Sequence, residues 1–184
     1  MAFITSGSTV LSYAAATDIR DKDQRIFECN EFNYADAPDA PATLNEYLDD
    51  LAVKSTARIN QKIRASAQWR TYLASQGSDY SSQNIPDFNP SKIITRKADF
   101  TDMTCYYVIK EFLLPKVANF DENSADLNKI QYYDQKFNSI LQELLQMFDW
   151  YDYDASGTVT TSEKNIKPQR FRRSRGRRPI VGVR

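Results

Sequence analysis

Residues Ser124–Glu163 read SADLNKIQYYDQKFNSILQELLQMFDWYDYDASGTVTTSE, and they constrain the architecture more than any other segment. Apolar side chains recur every three or four residues through the first two thirds, as in a helix that buries one face. The positions of this stripe are Leu127, Ile130, Phe137, Ile140, Leu141, Leu144, Leu145 and Phe148. Ser124 is the predicted N-cap. The segment therefore predicts an amphipathic helix that leads directly into an acidic, glycine-containing loop.

That loop, Asp152–Glu163, matches the twelve-residue pattern of a calcium-binding loop. Calcium is a hard cation that takes about six to eight oxygen ligands, which must converge from alternating positions. Gly157 permits the sharp turn that a Cβ would block, and Thr158 would contribute its carbonyl. The predicted metal ligands are Asp152, Asp154, Ser156, Thr158, Thr160 and Glu163.

The loop resembles that of the EF-hand family but departs from it in two ways. The sequence holds no second loop to pair with this one, and Pro168 opposes a long helix after the loop. Two interpretations stay open. Either Ca²⁺ or a similar cation fixes a reversal of the chain, or the segment is an Asp/Gly turn that needs no metal.

Composition argues against common catalytic sites. The 184 residues include no histidine, which is the commonest general base and a usual transition-metal ligand. The two cysteines, Cys29 and Cys105, have no motif spacing and are expected to be free thiols. We find no signal-peptide pattern and no apolar run long enough for a membrane span. The expectation is a protein that is not an enzyme, is not secreted and has no membrane contact.

Overall neutrality conceals a sharp charge asymmetry. Residues 164–184 hold nine basic residues and no acidic one, so the other 15 basic and all 24 acidic residues lie in residues 1–163. The body therefore carries a net charge of −9 and the tail +9. We divide the chain into an N-terminal arm (1–16), a helical domain (17–163) that ends in the loop, and a basic C-terminal docking tail (164–184).

Local signals predict a mainly α fold, a small helical bundle with long connecting loops and an extended basic tail. Thr17 is the predicted cap of a helix from Asp18 to Cys29. A capping box, Thr43 with Glu46, begins a long helix that is expected to reach Ala74 and to end at Gly77. Lys92–Arg96 is predicted as a short strand, and a helix from Phe100 is expected to kink or end at Pro115.

Together these features resemble the head–tail connector (adaptor or neck) proteins of tailed bacteriophages. The resemblance rests on a short helix around Thr17–Ile19 and Arg25–Glu28, and on a long helix with Leu44, Tyr47, Leu48, Leu51, Ala57, Ile59 and Asn60. The last features that carry the resemblance are the stretch Asp149–Asp154 and the basic tail that follows. The calcium-type loop is not a defining feature of that family.

The resemblance implies a structural virion protein at the head–tail interface, present in the host cytoplasm during assembly. It implies a homo-oligomeric, dodecameric ring that joins the portal protein to tail and neck proteins. Genomic DNA would pass nearby in the channel without sequence-specific contact. No enzymatic activity is implied.

The basic tail is the predicted partner-binding element, with an alternative left open. Its predicted contact residues are Arg170, Phe171, Arg172, Arg173, Arg175, Arg177, Arg178, Ile180 and Val181. The apolar residues favour a protein partner, because phosphate binding needs only the charges. The alternative is a calcium-binding or nucleic-acid-binding module with an arginine-rich tail, although only Phe171 offers a ring for base stacking.

Overall fold

The computed structural model describes residues 3–28, 43–77, 85, 87–118 and 125–164, and within them the fold is mainly helical with one small sheet. The fold class expected from the sequence is thereby confirmed. The strands are β1 (Ile4–Ser6) and β2 (Thr9–Ser12). The helices are α1 (Ala16–Lys22), α2 (Arg25–Glu28), α3 (Leu44–Ala65), α4 (Ala67–Ser75), α5 (Lys97–Val108), α6 (Leu114–Val117), α7 (Ala125–Met147) and α8 (Thr161–Lys164). A 3₁₀ turn (Pro90–Lys92) precedes α5, and a π turn (Ile109–Leu113) joins α5 to α6.

Helix α5 is central, because α1, α3 and α7 all pack against it. Two groups of buried side chains form the core. One is rich in aromatic rings, including Trp69, Phe100 and Trp150, and lies toward the loop that follows α7. The other is largely aliphatic and joins α1, α3, α5 and the π turn. The aromatic group therefore packs against the start of the predicted calcium loop, at Tyr153.

The N-terminal segment, expected as an extended arm, is a hairpin packed on the helices. Strands β1 and β2 pair antiparallel, and Gly7 between them has a φ of +60°. Tyr13 is fully buried against the ring of Phe100, with centroids 5.1 Å apart. Its amide donates to the Thr56 hydroxyl at 3.2 Å and its carbonyl accepts from Thr101 at 2.7 Å. The segment is thus part of the helical body rather than a separate arm.

The first predicted helix is broken in two, and its cap is Ala15 rather than Thr17. The break falls at Asp23, whose carboxylate accepts from the Tyr133 hydroxyl at 2.9 Å and pairs with the ammonium of Lys129. Both partners lie on α7, so a tertiary contact fixes the break. Cys29, the predicted end of this helix, lies outside the described residues.

The long helix begins as predicted but does not run unbroken to Ala74. The capping box is confirmed, with Glu46 N donating to the Thr43 hydroxyl at 3.2 Å and Thr43 N donating to the Glu46 carboxylate at 3.1 Å. At Ser66 the backbone becomes extended (ψ 146°), and the Ser66 hydroxyl accepts from Trp69 N at 3.1 Å as the cap of α4. Gly77, with a φ of +74°, follows the end of α4.

Two further predictions need correction. Lys92–Arg96 is not a strand: only Ile93 forms a β-bridge, antiparallel to Tyr151. The next helix begins at Lys97 rather than at Phe100, and of the two outcomes expected at Pro115, a kink or an end, the structure does not show an end. The π turn shifts the hydrogen-bond pattern, so that Leu114 N donates to the Ile109 carbonyl, and the chain continues as α6 with Pro115 in its first turn.

The helix α7 confirms the amphipathic pattern, since Phe137, Leu141, Leu144 and Leu145 are buried. Its predicted cap, Ser124, lies outside the described residues. Among the helices described, none is long and apolar enough to span a membrane.

Candidate functional site

The end of α7 fixes where the acidic loop begins. Phe148 follows the last helical residue with a φ of +45°, an uncommon conformation for a residue with a Cβ. Its ring is fully buried and stacks on Tyr72, with centroids 4.4 Å apart. Trp150 Nε1 donates to the Leu144 carbonyl at 2.7 Å, which satisfies a carbonyl in the last turn of α7. Burial of the two rings thus holds the chain reversal in place.

Asp152, the first position of the loop, stabilises the turn through hydrogen bonds of its backbone amide and its buried carboxylate. Its amide donates to the Lys92 carbonyl at 2.9 Å, which continues the bridge between Ile93 and Tyr151. Its buried carboxylate accepts from Ser156 N at 3.1 Å and from Gly157 N at 2.7 Å. Gly157 has a φ of +86°, so the turn requires the residue that the motif predicted there.

Glu163, the last position, closes the loop onto its beginning. One carboxylate oxygen accepts from Tyr153 N at 2.7 Å, and the other accepts from Thr160 N at 2.6 Å and the Thr160 hydroxyl at 2.8 Å. Thr160 precedes α8, and Lys164 N donates to its carbonyl at 3.2 Å. Thr160 and Glu163 therefore cap the short helix after the loop while joining the loop's two ends.

The three carboxylates among the six predicted metal ligands lie close together. Carboxylate oxygens of Asp152, Asp154 and Glu163 all lie within 4.8 Å of one another. Asp152 and Glu163 are buried, whereas Asp154 is exposed and accepts from Ser156 N at 3.0 Å. Three carboxylates at this separation repel one another unless backbone N–H groups or a cation offset their charge.

The other three predicted ligands bond within the loop. The Ser156 hydroxyl donates to the Thr158 carbonyl at 3.1 Å. The Thr160 hydroxyl donates to Glu163 and lies 2.9 Å from the Ser162 hydroxyl. Ser156 and Thr158 therefore bond to each other, and Thr160 bonds to Glu163 and Ser162.

The pKa values of the carboxyls show how the loop holds its charge. Desolvation raises the pKa of Glu163, but hydrogen bonds from Thr160, Tyr153 and Asp154 outweigh it, and the net pKa falls below the ordinary value of 4.5. The pKa of Asp154 is also lowered, chiefly by its hydrogen bonds from Ser156. The charged forms are therefore the stable ones at neutral pH.

The chemical type of these ligands suits calcium, but coordination by Glu163 requires a change in its hydrogen bonds. The ligands are all oxygens, as a hard cation prefers, and their charge is strongly negative. Both carboxylate oxygens of Glu163 already accept from N–H groups. Bidentate coordination of a cation by Glu163 would therefore require some of these hydrogen bonds to break. The same bonds hold the loop together without metal, so the geometry supports both interpretations of the sequence.

Residues far away in the chain support the loop, and the sequence pattern does not reveal them. The Lys92 ammonium donates to the Tyr153 carbonyl and lies 5.5 Å from the centroid of the Tyr153 ring. Gln76, just after α4, donates through Nε2 to the Glu163 carbonyl at 3.2 Å. Neither residue belongs to a motif, and the sequence separation of 87 positions between Gln76 and Glu163 gives no local signal.

The predicted partner-binding residues of the tail, Arg170–Arg173, Arg175, Arg177, Arg178, Ile180 and Val181, lie outside the described residues. What the structure does show is the anchor from which the tail departs: α8, tied to Gln76 and to the start of the loop through Glu163.

Comparison of the chain with protein-family models, curated proteins and solved structures finds no match in any of the three.

Proposed function

We propose that this chain is a structural interaction protein, a subunit of a head–tail connector ring in a tailed bacteriophage. One observation carries the proposal: an acidic helical body ends in the anchored Asp149–Glu163 segment, directly before a strongly basic tail. This arrangement separates a folded body from a docking segment of opposite charge, as a ring subunit that must bind both its neighbours and a portal requires.

The described geometry supports the docking role by fixing the origin of the tail. Glu163 uses its carboxylate to hold Tyr153 and Thr160, and its carbonyl to hold Gln76. The chain therefore leaves the body from a defined place rather than from a frayed helix end. A fixed origin limits the volume that a tail searches and raises its effective concentration at a neighbouring surface.

The loop adds a second proposal, that Ca²⁺ stabilises this anchor. Asp152, Asp154 and Glu163 would hold the ion, with oxygens of Ser156, Thr158 and Thr160 completing the shell. When bound, the ion supplies a double positive charge that offsets three neighbouring carboxylates. In the part of the chain that the structure describes, the loop is followed by the four-residue helix α8, so the role we propose is to fix the chain reversal rather than to open a pair of helices.

The experiment compares the full-length protein with a variant in which Arg170, Arg172, Arg173, Arg175, Arg177 and Arg178 are replaced by Gln. Both are mixed with the portal ring of the phage that encodes them. We expect unchanged circular dichroism and melting temperature, because the substitutions lie outside the helical body, and loss of portal binding. A variant that still assembles and loses only DNA retention would contradict the docking role and support the nucleic-acid alternative.

A further inference from the structure

An open surface cavity of about 550 Å³, lined largely by exposed side chains, lies between α3 and the π turn, away from the acidic loop. Arg58, Gln61 and Lys62 line it from α3, and Tyr107, Glu111 and Phe112 line it from the opposite side. The π turn forms part of that opposite wall, and π turns inside helices frequently occur at functional sites. The cavity therefore combines two cations and one carboxylate with aromatic side chains beside an irregular turn.

The cavity lining holds two positive charges, Arg58 and Lys62, against one negative charge, Glu111. Lys62 Nζ lies 5.9 Å from the centroid of the Tyr107 ring and 5.7 Å from that of Phe137. The Arg58 guanidinium donates to the Gln61 side chain at 3.5 Å. Within the part of the chain that the structure describes, neither cation has a carboxylate at ion-pairing distance.

The carboxylate that lines the cavity, Glu111, and the nearby Asp134 both pair with a third cation, Lys110. Lys110 Nζ lies 2.5 Å from Asp134 and 3.3 Å from Glu111, and its side chain is only 9% exposed. Asp134 also accepts from Asn138 Nδ2 at 2.8 Å. Lys110 offsets one of these two carboxylate charges, and Arg58 and Lys62 together exceed the other, so the surface around the cavity stays net positive on an otherwise acidic body.

Arg58 and Lys62 lie four residues apart on α3, so their like charges face each other across one helical turn. Such a pair is mildly destabilising until an anion binds between the two groups. Guanidinium presents paired N–H donors that match an oxyanion, and ammonium adds a compact charge. Tyr107 supplies a phenol beside them.

We propose that this cavity binds a phosphate group, held by the Arg58 guanidinium and the Lys62 ammonium. Two cations separated by one helical turn suit a dianion better than a monoanion, because both charges are then offset at once. The inference is independent of the connector role and of the calcium loop.

The test is a titration of the full-length, ¹⁵N-labelled protein with inorganic phosphate at constant ionic strength, followed by NMR. Residue-resolved signals separate this cavity from phosphate binding by the arginine-rich tail. We expect saturable shifts of the backbone signals of Gln61 and Tyr107. Acetate at the same concentrations should bind at least about tenfold more weakly, since it carries one charge.

Arg58→Gln and Lys62→Gln should each weaken phosphate binding about tenfold, because each removes one charge-assisted contact. Lys54→Gln is the matched control: it removes the same charge from the same helix, one turn before Arg58 and outside the cavity. Glu111→Gln removes a negative charge from the cavity lining, so the affinity for phosphate should stay the same or increase. Shifts that do not saturate, or an equal loss in Lys54→Gln, would overturn the assignment and leave only a diffuse effect of charge.

Discussion

At the scale of single residues, Glu163 links the loop, α8 and the departing tail. Its carboxylate accepts from Tyr153 and Thr160, and its carbonyl accepts from Gln76. The motif predicted this residue as a metal ligand. Its use as a hydrogen-bond acceptor for four loop donors follows from the turn geometry, which no residue pattern specifies.

Glu163→Gln should destabilise the protein in the presence of a chelator by about 1–3 kcal/mol, because a buried charge-assisted acceptor is replaced by a neutral one. In calcium the loss should be larger, by about 2.7 kcal/mol when the wild type is assayed at a hundred times its dissociation constant. Thermal melts in both buffers measure the two effects. Asp50→Asn, at an exposed position on α3, is the control and should change neither melt.

Equal losses for Glu163→Gln in calcium and in chelator would reject the metal and leave the hydrogen-bonded turn. Terbium luminescence gives an independent measure, since Tyr153 lies inside the loop and aromatic rings can sensitise a bound lanthanide. Sensitised emission that Glu163→Gln leaves unchanged would also count against the proposed ligand set.

The loop should make stability depend on acid pH. The folded-state pKa of Glu163 lies below its ordinary value of 4.5, so the unfolded chain binds a proton more readily than the folded one. Its contribution is present above pH 4.5 and is lost as the pH falls through the folded pKa. Denaturant melts below pH 4.5 should show this decline in the wild type and a shallower one in Glu163→Gln. Parallel curves for the two proteins would contradict the role assigned to this carboxylate.

At the scale of elements, the sequence predicts helices well and their interruptions poorly. The apolar stripe of α7 and the capping box of α3 are local patterns, and both are confirmed. The breaks at Asp23 and Ser66 depend on partners elsewhere. Asp23 bonds to Tyr133, 110 positions away, and Ser66 turns α4 so that Trp69 and Tyr72 enter the aromatic core.

Ser66→Ala should lower stability by about 1 kcal/mol, the usual cost of removing a serine N-cap. For a chain of this size the melting temperature should fall by about 2–4 °C. Ser139→Ala, at an exposed position within α7, is the matched control and should be neutral or slightly stabilising, because alanine is the better helix former. If Ser66→Ala raised the melting temperature, α3 and α4 would favour one continuous helix and the cap would have no role.

At the scale of the whole molecule, the separation of charge between the body and the tail can be read directly from the sequence. The body carries −9 and the tail +9, a division that no contact within the helical core requires. The structure adds that the boundary between them is anchored by α8 and the loop. The fold class was predictable from periodicity, whereas the packed hairpin was not, because its strands are only three and four residues long.

We propose that many copies of this chain assemble as a ring on a portal. Native mass spectrometry of the full-length protein, alone and after mixing with the portal ring of its phage, tests it most directly. We expect a complex in which the mass added to the portal is an integral number of copies, about twelve, equal to one per portal subunit. A chain that stays monomeric and adds no mass to the portal at any ratio would rule out the proposed ring.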